Sequence, residues 1–328
     1  MRVAINGFGR IGRAFYKLAR ELPELEIVAV NDLGDLENLE YLLKHDSVYG
    51  NWDGTFDAKF ISEKDPLKLP WKDLNIDIVV ESSGAFESYQ SARAHVQAGA
   101  KRVVITAPAK DEDSDGNKTV LMGVNEEDLK TCIITSNGSC TTNSASPIMR
   151  VLSEKLGIKK AFLNTVHGYT ATQSLVDSPA KGAKGGDFRR GRAAAINIVP
   201  STTGAAIAVG RAVHELLGKF DGVAMRVPVS TGSLSAICFV SEKETSPEEI
   251  NKILEEAAKE PRWKGILTTT REQIVSTDII GNPHAAIADL SLTHVTGNDL
   301  CAVYSWYDNE MGYTHTLVNH VAKLGKTL

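Results

Sequence analysis

One segment of the sequence places a cysteine where it could act as a nucleophile. Residues 136–143 read SNGSCTTN, so that Cys140 follows a glycine-containing turn and begins a predicted helix. The dipole and the free N–H groups at a helix N-terminus favour a thiolate, which makes Cys140 the candidate nucleophile and predicts that it ionises more readily than a buried thiol. The remaining cysteines lie in apolar strand patterns and are predicted to be structural: Cys132, Cys238 and Cys301.

A nucleophilic cysteine needs a base to accept its proton, and one histidine has suitable polar surroundings. His167 lies near the end of a predicted strand in the run LNTVHGYTATQ and is followed by Thr170 and Thr172. A lone histidine on a strand is often structural, but the other histidines lack such neighbours. The pattern therefore favours His167 as the general base.

A third chemical signal is the run G-x-G-x-x-G formed by Gly7, Gly9 and Gly12, which directly follows a predicted strand and opens a helix. Gly7 allows a tight turn, Gly9 a close approach of a pyrophosphate, and Gly12 close packing of helix on strand. Asp32 ends the next strand about 20 residues later, the usual spacing for a carboxylate that binds an adenosine ribose. The alternative is a tight turn without a ligand. The combination predicts a dinucleotide site, and the charge of Asp32 favours NAD over NADP.

Strand and helix patterns alternate over the first 140 residues. Apolar runs such as RVAIN, EIVAVN, IDIVVES, RVVIT and IITS alternate with helical periodicity over Arg10–Arg20, Asp35–Lys44 and Ser88–Ala98. This order predicts an α/β fold with a Rossmann-type doubly wound parallel sheet.

The pattern changes after Cys140. A predicted helix, Thr141–Leu156, leads into long alternating runs that are typical of an α+β domain with a mixed or antiparallel sheet. The segment Asn309–Leu324 again shows the hydrophobic periodicity of a helix, and this helix is expected to pack on the first domain. The predicted domains are residues 1–139 with 306–328 for NAD binding, and residues 140–305 for catalysis.

Composition excludes several classes of protein. The chain has 328 residues and a formal net charge of −5, which argues against a nucleic acid as main partner. No run approaches the about 20 apolar residues that span a bilayer, and the cysteine spacings predict no metal site. The first residues carry no secretory pattern, so the expected location is cytoplasmic.

The motifs together resemble one enzyme family. AINGFGRIGR, VNDL, ITAPAK, SNGSCTTN, HGYTATQ, PSTTGAA, MRVPV and YDNEMGY stand in the order found in phosphorylating glyceraldehyde-3-phosphate dehydrogenases, and the match covers nearly the whole chain. The resemblance implies a homotetramer that uses NAD and inorganic phosphate to convert D-glyceraldehyde 3-phosphate into 1,3-bisphosphoglycerate. It also implies that Cys140 forms a hemithioacetal and then a thioester, with His167 as base.

The resemblance further implies contacts for the two anions and the cofactor. One phosphate would be held by Thr170, Thr172, Arg190 and Arg226, and the other by Ser139, Thr203, Gly204 and again Arg190, with Thr141 beside them. Cofactor contacts would include Arg10 and Ile11 at the pyrophosphate, Thr106 near the nicotinamide ribose, Asn309 at the carboxamide and Tyr313 near the nicotinamide. Leu33 and Pro179 match the members that use NAD.

Three alternatives remain open at this point. The nearest is the sister activity, erythrose-4-phosphate dehydrogenase; the others are a non-catalytic NAD-binding or redox-sensing protein and a hydrolytic cysteine enzyme. A Gly- and Lys-rich insertion, Ala180–Gly186, separates Pro179 from Arg190. This loop is predicted to bulge into solvent or to lie along a neighbouring subunit.

Overall fold

The computed structural model describes residues 1–180 and 187–328, so residues 181–186 of the predicted loop insertion lie outside the described residues. The chain divides into two compact units, Met1–Ser139 with Thr314–Leu328, and Cys140–Tyr313. The sequence pattern predicts that the chain rejoins the NAD-binding domain at residue 306, but this residue lies within a strand of the second unit that ends at Tyr307. Pairing of that strand with its neighbours explains why the division by contacts comes later, at Thr314.

The first unit contains an all-parallel seven-stranded sheet in the order β5-β2-β1-β6-β7-β9-β8, and a separate hairpin of β3 and β4. The strands are β1 (Arg2–Asn6), β2 (Glu26–Asn31), β3 (His45–Asp46), β4 (Gly50–Asn51), β5 (Lys59–Ile61), β6 (Ile78–Glu81), β7 (Arg102–Ile105), β8 (Asn117–Thr119) and β9 (Ile134–Ser136). This confirms the predicted doubly wound parallel sheet. The Val- and Ile-rich runs became strands because both of their faces are buried.

Three helices connect strands of this sheet, and the second and third begin at polar caps. They are α1 (Arg10–Ala19), α2 (Leu36–Lys44) and α3 (Tyr89–Gln97). The Asp35 side chain accepts a hydrogen bond from the Asn38 N–H at the start of α2, and Ser88 forms a capping box with Ser91 at the start of α3. These local signals explain why the predicted helices have nearly the observed bounds.

The second unit is built on a mixed eight-stranded sheet in the order β11-β12-β10-β13-β17-β15-β14, with β16 paired to β17. Its strands are β10 (Ile158–Gly168), β11 (Val199–Thr202), β12 (Phe220–Val227), β13 (Ser233–Ser241), β14 (Leu267–Thr270), β15 (Ala286–Asp289), β16 (His294–Thr296) and β17 (Leu300–Tyr307). Pairs β10–β12 and β14–β15 are parallel and the others are antiparallel. The predicted mixed sheet is confirmed.

Helices of the second unit pack on one face of this sheet. They are α4 (Cys140–Leu156), α5 (Ala205–Ala212) and α6 (Pro247–Ala257), and a last helix, α7 (Met311–Gly325), carries the chain into residues 314–328 of the first unit. Helices α5 and α6 were not predicted, although Ser246 and Pro247 form a recognisable helix start. Among the described residues, every helix is too short or too polar to cross a membrane.

Candidate active site

The glycine turn of the first unit has the geometry that its sequence predicts. Gly7 has φ +99°, and a Cβ there would lie 2.4 Å from the backbone nitrogen of Ser83. A Cβ on Gly12 would lie 2.1 Å from the carbonyl oxygen of Gly7, whereas one on Gly9 would meet no atom within 4 Å. Gly7 and Gly12 are therefore required by the fold, and Gly9 leaves open space beside the N-terminus of α1, where a ligand pyrophosphate can approach.

A cleft of about 440 Å³ opens next to this turn. Gly7, Gly9, Asp32 and Leu33 contribute to its lining. The Asp32 carboxylate accepts hydrogen bonds from the Phe8 N–H at 2.6 Å and the Gly34 N–H at 2.7 Å. These bonds hold Asp32 at the cleft, and each of its oxygens keeps further acceptor capacity for a ribose hydroxyl. The lining therefore fits the adenosine half of a dinucleotide.

The other residues predicted for the cofactor lie in both units. In the first unit Arg10 pairs with Asp46 at 3.2 Å, Ile11 is half-buried in the first turn of α1, and Thr106 directly follows β7. In the second unit, the Asn309 side-chain carbonyl accepts hydrogen bonds from the Gly232 N–H and the Ser233 hydroxyl, and Tyr313 is buried. Pro179 is exposed.

Within the second unit, Cys140 and His167 face each other. Cys140 is the first residue of α4 and His167 the penultimate residue of β10, and their Sγ and Nε2 atoms are 3.3 Å apart. This is hydrogen-bond distance for a sulfur atom. The structure therefore brings together the nucleophile and the base that sequence reasoning proposed from separate segments.

The electrostatic surroundings hold this pair in its neutral form in the absence of substrate. Burial raises the pKa of the Cys140 thiol, an effect that Arg226 and the N–H groups of the first helical turn partly offset. Burial, and then the charge of Arg226, lower the pKa of His167 to about 3. The helix start was expected to favour the Cys140 thiolate, but burial raises the pKa of this thiol despite the N–H groups of the first turn.

Two hydrogen bonds at His167 Nδ1 favour different tautomers. The Gly168 carbonyl oxygen lies 2.7 Å from Nδ1 and can accept a proton from it, whereas the Arg226 guanidinium can only donate to Nδ1. With Nδ1–H donating to Gly168, Nε2 is free to take the Cys140 proton. With Arg226 donating to Nδ1, Nε2–H points toward Sγ and can stabilise a negative charge. His167 can therefore serve as base or as hydrogen-bond donor.

Two arginines, Arg190 and Arg226, lie near enough for their charges to interact. Arg226 lies opposite His167 in the parallel pairing of β10 and β12, and the charge of Arg190 contributes to lowering the pKa of Arg226 after the larger effect of burial. In the described part of the chain, neither arginine forms a salt bridge with a carboxylate. Two close positive charges without a carboxylate partner favour binding of a phosphate.

Several of the predicted phosphate contacts are hydroxyl or backbone groups on short turns. The hydroxyls of Thr170 and Thr172 are 2.9 Å apart, and the Thr203 hydroxyl accepts the Ala205 N–H at the start of α5, where Gly204 is the exposed cap. Ser139 is half-buried directly before Cys140.

Tyr307 was missed by sequence reasoning. Its hydroxyl lies 2.8 Å from the Thr141 hydroxyl and 2.7 Å from that of Thr165, and its ring meets the His167 ring edge-on at 5.9 Å. It thus joins the helix that carries Cys140 to the strand that carries His167. The motif YDNEMGY contains Tyr307, but only sheet pairing shows its position.

Comparison with known proteins agrees with this geometry. Residues 1–89 match the family model described as glyceraldehyde 3-phosphate dehydrogenase, NAD binding domain, and residues 139–309 match the model of the C-terminal domain. A glyceraldehyde-3-phosphate dehydrogenase from Thermotoga maritima is 48% identical over 340 residues, covering 99% of each chain. Proteins with the same name from Borreliella burgdorferi and Clostridium pasteurianum are 45% and 44% identical, covering 99% of this chain and 100% and 99% of their own.

Proposed function

Because the chain belongs to the glyceraldehyde-3-phosphate dehydrogenase family, we propose that Cys140 and His167 carry out the oxidation that defines this family. The protein is an NAD-dependent oxidoreductase that converts D-glyceraldehyde 3-phosphate and inorganic phosphate into 1,3-bisphosphoglycerate, a glycolytic reaction. The observation that carries the residue assignment is the 3.3 Å approach of Cys140 Sγ to His167 Nε2 beside Arg226.

The first step is attack of the Cys140 sulfur on the aldehyde carbon. The neutral imidazole of His167 takes the thiol proton through Nε2, the sulfur bonds to the aldehyde carbon, and Nε2–H returns the proton to the former carbonyl oxygen, which gives a tetrahedral hemithioacetal on Cys140. An anionic substrate phosphate near Arg226 offsets the positive charge that opposes protonation of His167, so substrate binding promotes this proton transfer. The pair is thus activated when substrate is present.

Oxidation then leaves a thioester on Cys140. NAD supplies the hydride acceptor when it is bound. When the hemithioacetal is oxidised, Nε2 of His167 takes the proton of its hydroxyl, and Nε2–H then stabilises charge on the thioester oxygen. Attack of inorganic phosphate on the thioester carbon breaks the C–S bond, releases the acyl phosphate and leaves the Cys140 thiolate, which regains a proton from His167. We assign the substrate phosphate to Thr170, Thr172, Arg190 and Arg226, and the attacking phosphate to Ser139, Thr141, Thr203, Gly204 and Arg190.

We assign the cofactor contacts to both units. The cleft beside Gly7, Gly9, Gly12 and Asp32 takes the adenosine half of NAD, with Arg10 and Ile11 near the pyrophosphate. Thr106, Asn309 and Tyr313 are assigned to the nicotinamide half. We assign NAD binding to the domain of residues 1–139 with 306–328, and catalysis to the domain of residues 140–305.

Substrate comparison tests the reaction assignment. NADH formation is measured with glyceraldehyde 3-phosphate, with and without inorganic phosphate, and in parallel with erythrose 4-phosphate. Strong phosphate dependence and faster turnover of the triose are expected. Faster turnover of the tetrose would instead assign the sister activity.

Charge removal at Asp32 is expected to relax the cofactor preference. The half-buried Asp32 carboxylate would repel a 2′-phosphate, so Asp32→Asn should lower the ratio of kcat/KM for NAD to that for NADP by about tenfold to a hundredfold. Asp35→Asn is the matched control, because Asp35 caps α2 and does not line the cleft. Equal efficiencies with the two cofactors in the wild-type enzyme would contradict this role of Asp32.

We also propose a cytoplasmic homotetramer, as the family resemblance implies. The sheet of the second unit supports self-association. The side chains on one face of this sheet are buried, whereas the opposite face carries Phe162, Val166 and Leu300, which are 48%, 41% and 49% exposed to solvent. A sheet face with several exposed large apolar side chains is a typical protein interface. A second copy of this chain is the occupant that the resemblance favours.

A charge on this face is expected to weaken the assembly. Phe162→Glu places a carboxylate among apolar side chains, and sedimentation should show dissociation at micromolar concentrations at which the wild type stays tetrameric. Lys252→Glu on helix α6 is the control, since Lys252 is exposed away from this sheet face. An unchanged sedimentation coefficient for Phe162→Glu would exclude this face as an interface.

A further inference from the structure

Three neighbouring strands of the first sheet end in buried polar side chains that bond to one another. Asn31 ends β2, Asn6 ends β1 and Glu81 ends β6, and in the parallel register Asn6 lies beside both of the others. All three side chains are buried. We call Asn31, Asn6 and Glu81 the strand-end ladder.

The hydrogen bonds between neighbouring side chains of the ladder run in one direction, and Asn31 Nδ2 also donates to the Glu63 carbonyl oxygen at 3.0 Å. The Glu63 backbone N–H donates to Asn31 Oδ1 at 2.9 Å, Asn31 Nδ2 donates to Asn6 Oδ1 at 2.7 Å, and Asn6 Nδ2 donates to Glu81 Oε2 at 2.5 Å. A backbone donor stands at one end and an acceptor-only carboxylate at the other. These two ends determine the orientation of both amides.

A buried histidine and tryptophan hold the acceptor end. The Trp71 indole N–H donates to His95 Nδ1 at 3.1 Å, so the imidazole proton must be on Nε2, which lies 2.8 Å from Glu81 Oε2. Because an indole nitrogen can only donate, His95 cannot change its tautomer without losing this bond. Glu81 Oε1 accepts the N–H and hydroxyl of Ser83. In the described residues, Glu81 contacts no lysine or arginine, and its carboxylate is held entirely by these donors.

The ladder forms part of the wall of the proposed cofactor cleft. Asn6, Asn31, Glu63 and Ser83 all contribute to the lining. The next residues along the chain are Gly7 and Asp32, and the Gly7 N–H donates to the Asn31 carbonyl at 2.8 Å. A change in the amide orientations would therefore displace the residues assigned to the pyrophosphate and the ribose.

We propose that Glu81 is a positioning residue for NAD, which acts as the acceptor that orients Asn6 and Asn31 beneath the adenosine half of the cofactor. This inference rests on the proposed assignment of the cleft. Glu81 does not touch the reacting atoms, and the Cys140 chemistry does not require it. Its carboxylate is needed because each of its partners donates.

A Glu81→Gln substitution tests the need for an acceptor at constant size. The new amide NH₂ would face either the Ser83 N–H or the donors of Asn6 and His95. If NH₂ faces Asn6, rotation of the Asn6 amide would set its own NH₂ against that of Asn31. Rotation of the Asn31 amide would then set its NH₂ against the Glu63 backbone N–H, which cannot rotate. If the new amide oxygen instead keeps the donors of Asn6 and His95, its NH₂ faces the Ser83 N–H in the cleft lining, so either orientation leaves one donor facing another.

Direct binding is the measurement. Calorimetric titration is expected to show about tenfold weaker binding of NAD and of ADP-ribose to Glu81→Gln than to wild type, with an unchanged rate of Cys140 alkylation by iodoacetamide. Glu26→Gln, at the opposite end of β2, is the matched control and should bind as the wild type. When Asn6 is already replaced by Ala, Glu81→Gln should weaken NAD binding further by less than about twofold, because the ladder is already broken.

The outcomes separate this inference from the assignment of the cleft. If Asp32→Ala leaves ADP-ribose affinity unchanged, the assignment of the cleft fails. If Asp32→Ala weakens binding but folded Glu81→Gln binds as the wild type, even with a lower unfolding midpoint, Glu81 is only structural and the inference is overturned. If Glu81→Gln does not fold, Asn6→Ala decides, since it breaks the ladder without a donor conflict: weaker ADP-ribose binding supports the inference, and unchanged binding overturns it.

Discussion

Cys140→Ser is expected to lower dehydrogenase turnover by more than about 10⁴-fold, because the variant loses the group that forms the thioester. A serine hydroxyl ionises far less readily than a thiol, and the pKa of about 3 for His167 makes its imidazole a weak base for that proton. NADH formation with glyceraldehyde 3-phosphate and phosphate is the measurement. NAD affinity should be nearly unchanged, since the cleft beside Asp32 does not include Cys140.

The control for this change is Cys238→Ser on β13; the prediction that Cys238 lies in the core was wrong, because its side chain is on the exposed face of the strand. This variant should keep wild-type turnover. A few per cent of residual activity in a Cys140→Ser preparation free of wild-type enzyme would exclude Cys140 as the nucleophile. Loss of NAD binding in the same variant would show that the substitution disturbs more than the reaction.

His167→Asn is expected to slow formation of the thioester by roughly 10²–10⁴, the usual contribution of a positioned general base. The asparagine can still donate a hydrogen bond toward the reacting centre, but it cannot take the Cys140 proton. The rate of the first NADH burst, measured by rapid mixing, isolates this step from product release. The burst should also depend more steeply on pH in the variant, since Cys140, whose pKa is raised by burial, must then ionise into solvent.

His294→Asn provides the comparison, because His294 is an exposed histidine on β16. Its burst should match that of the wild type. An unaltered burst in His167→Asn would remove His167 from the mechanism, and the 3.3 Å contact with Cys140 would then be structural.

Local sequence patterns were sufficient for the central strands and helices of the first unit and for the residues that depend on them. The Val- and Ile-rich runs predicted β1, β2, β6, β7 and β9, and the cysteine after the glycine-containing turn stands at the start of α4, as expected. Gly7 and Gly12 followed from their spacing because a strand, a tight turn and a helix must adopt one conformation over a few residues. Such features are determined by neighbours along the chain.

Tertiary structure alone decided which distant residues meet and what their charges do. The pairing of β10 with β12 places Arg226 against His167, and the pairing of β13 with β17 brings Tyr307 to the same place. Burial raises the pKa of Cys140, which the position of this residue at a helix start did not predict. Glu81 had no recognisable signal, because its partners come from separate segments. The physical reason is common to all of these: strand register and loss of hydration depend on how the whole unit packs, and no local pattern contains either quantity.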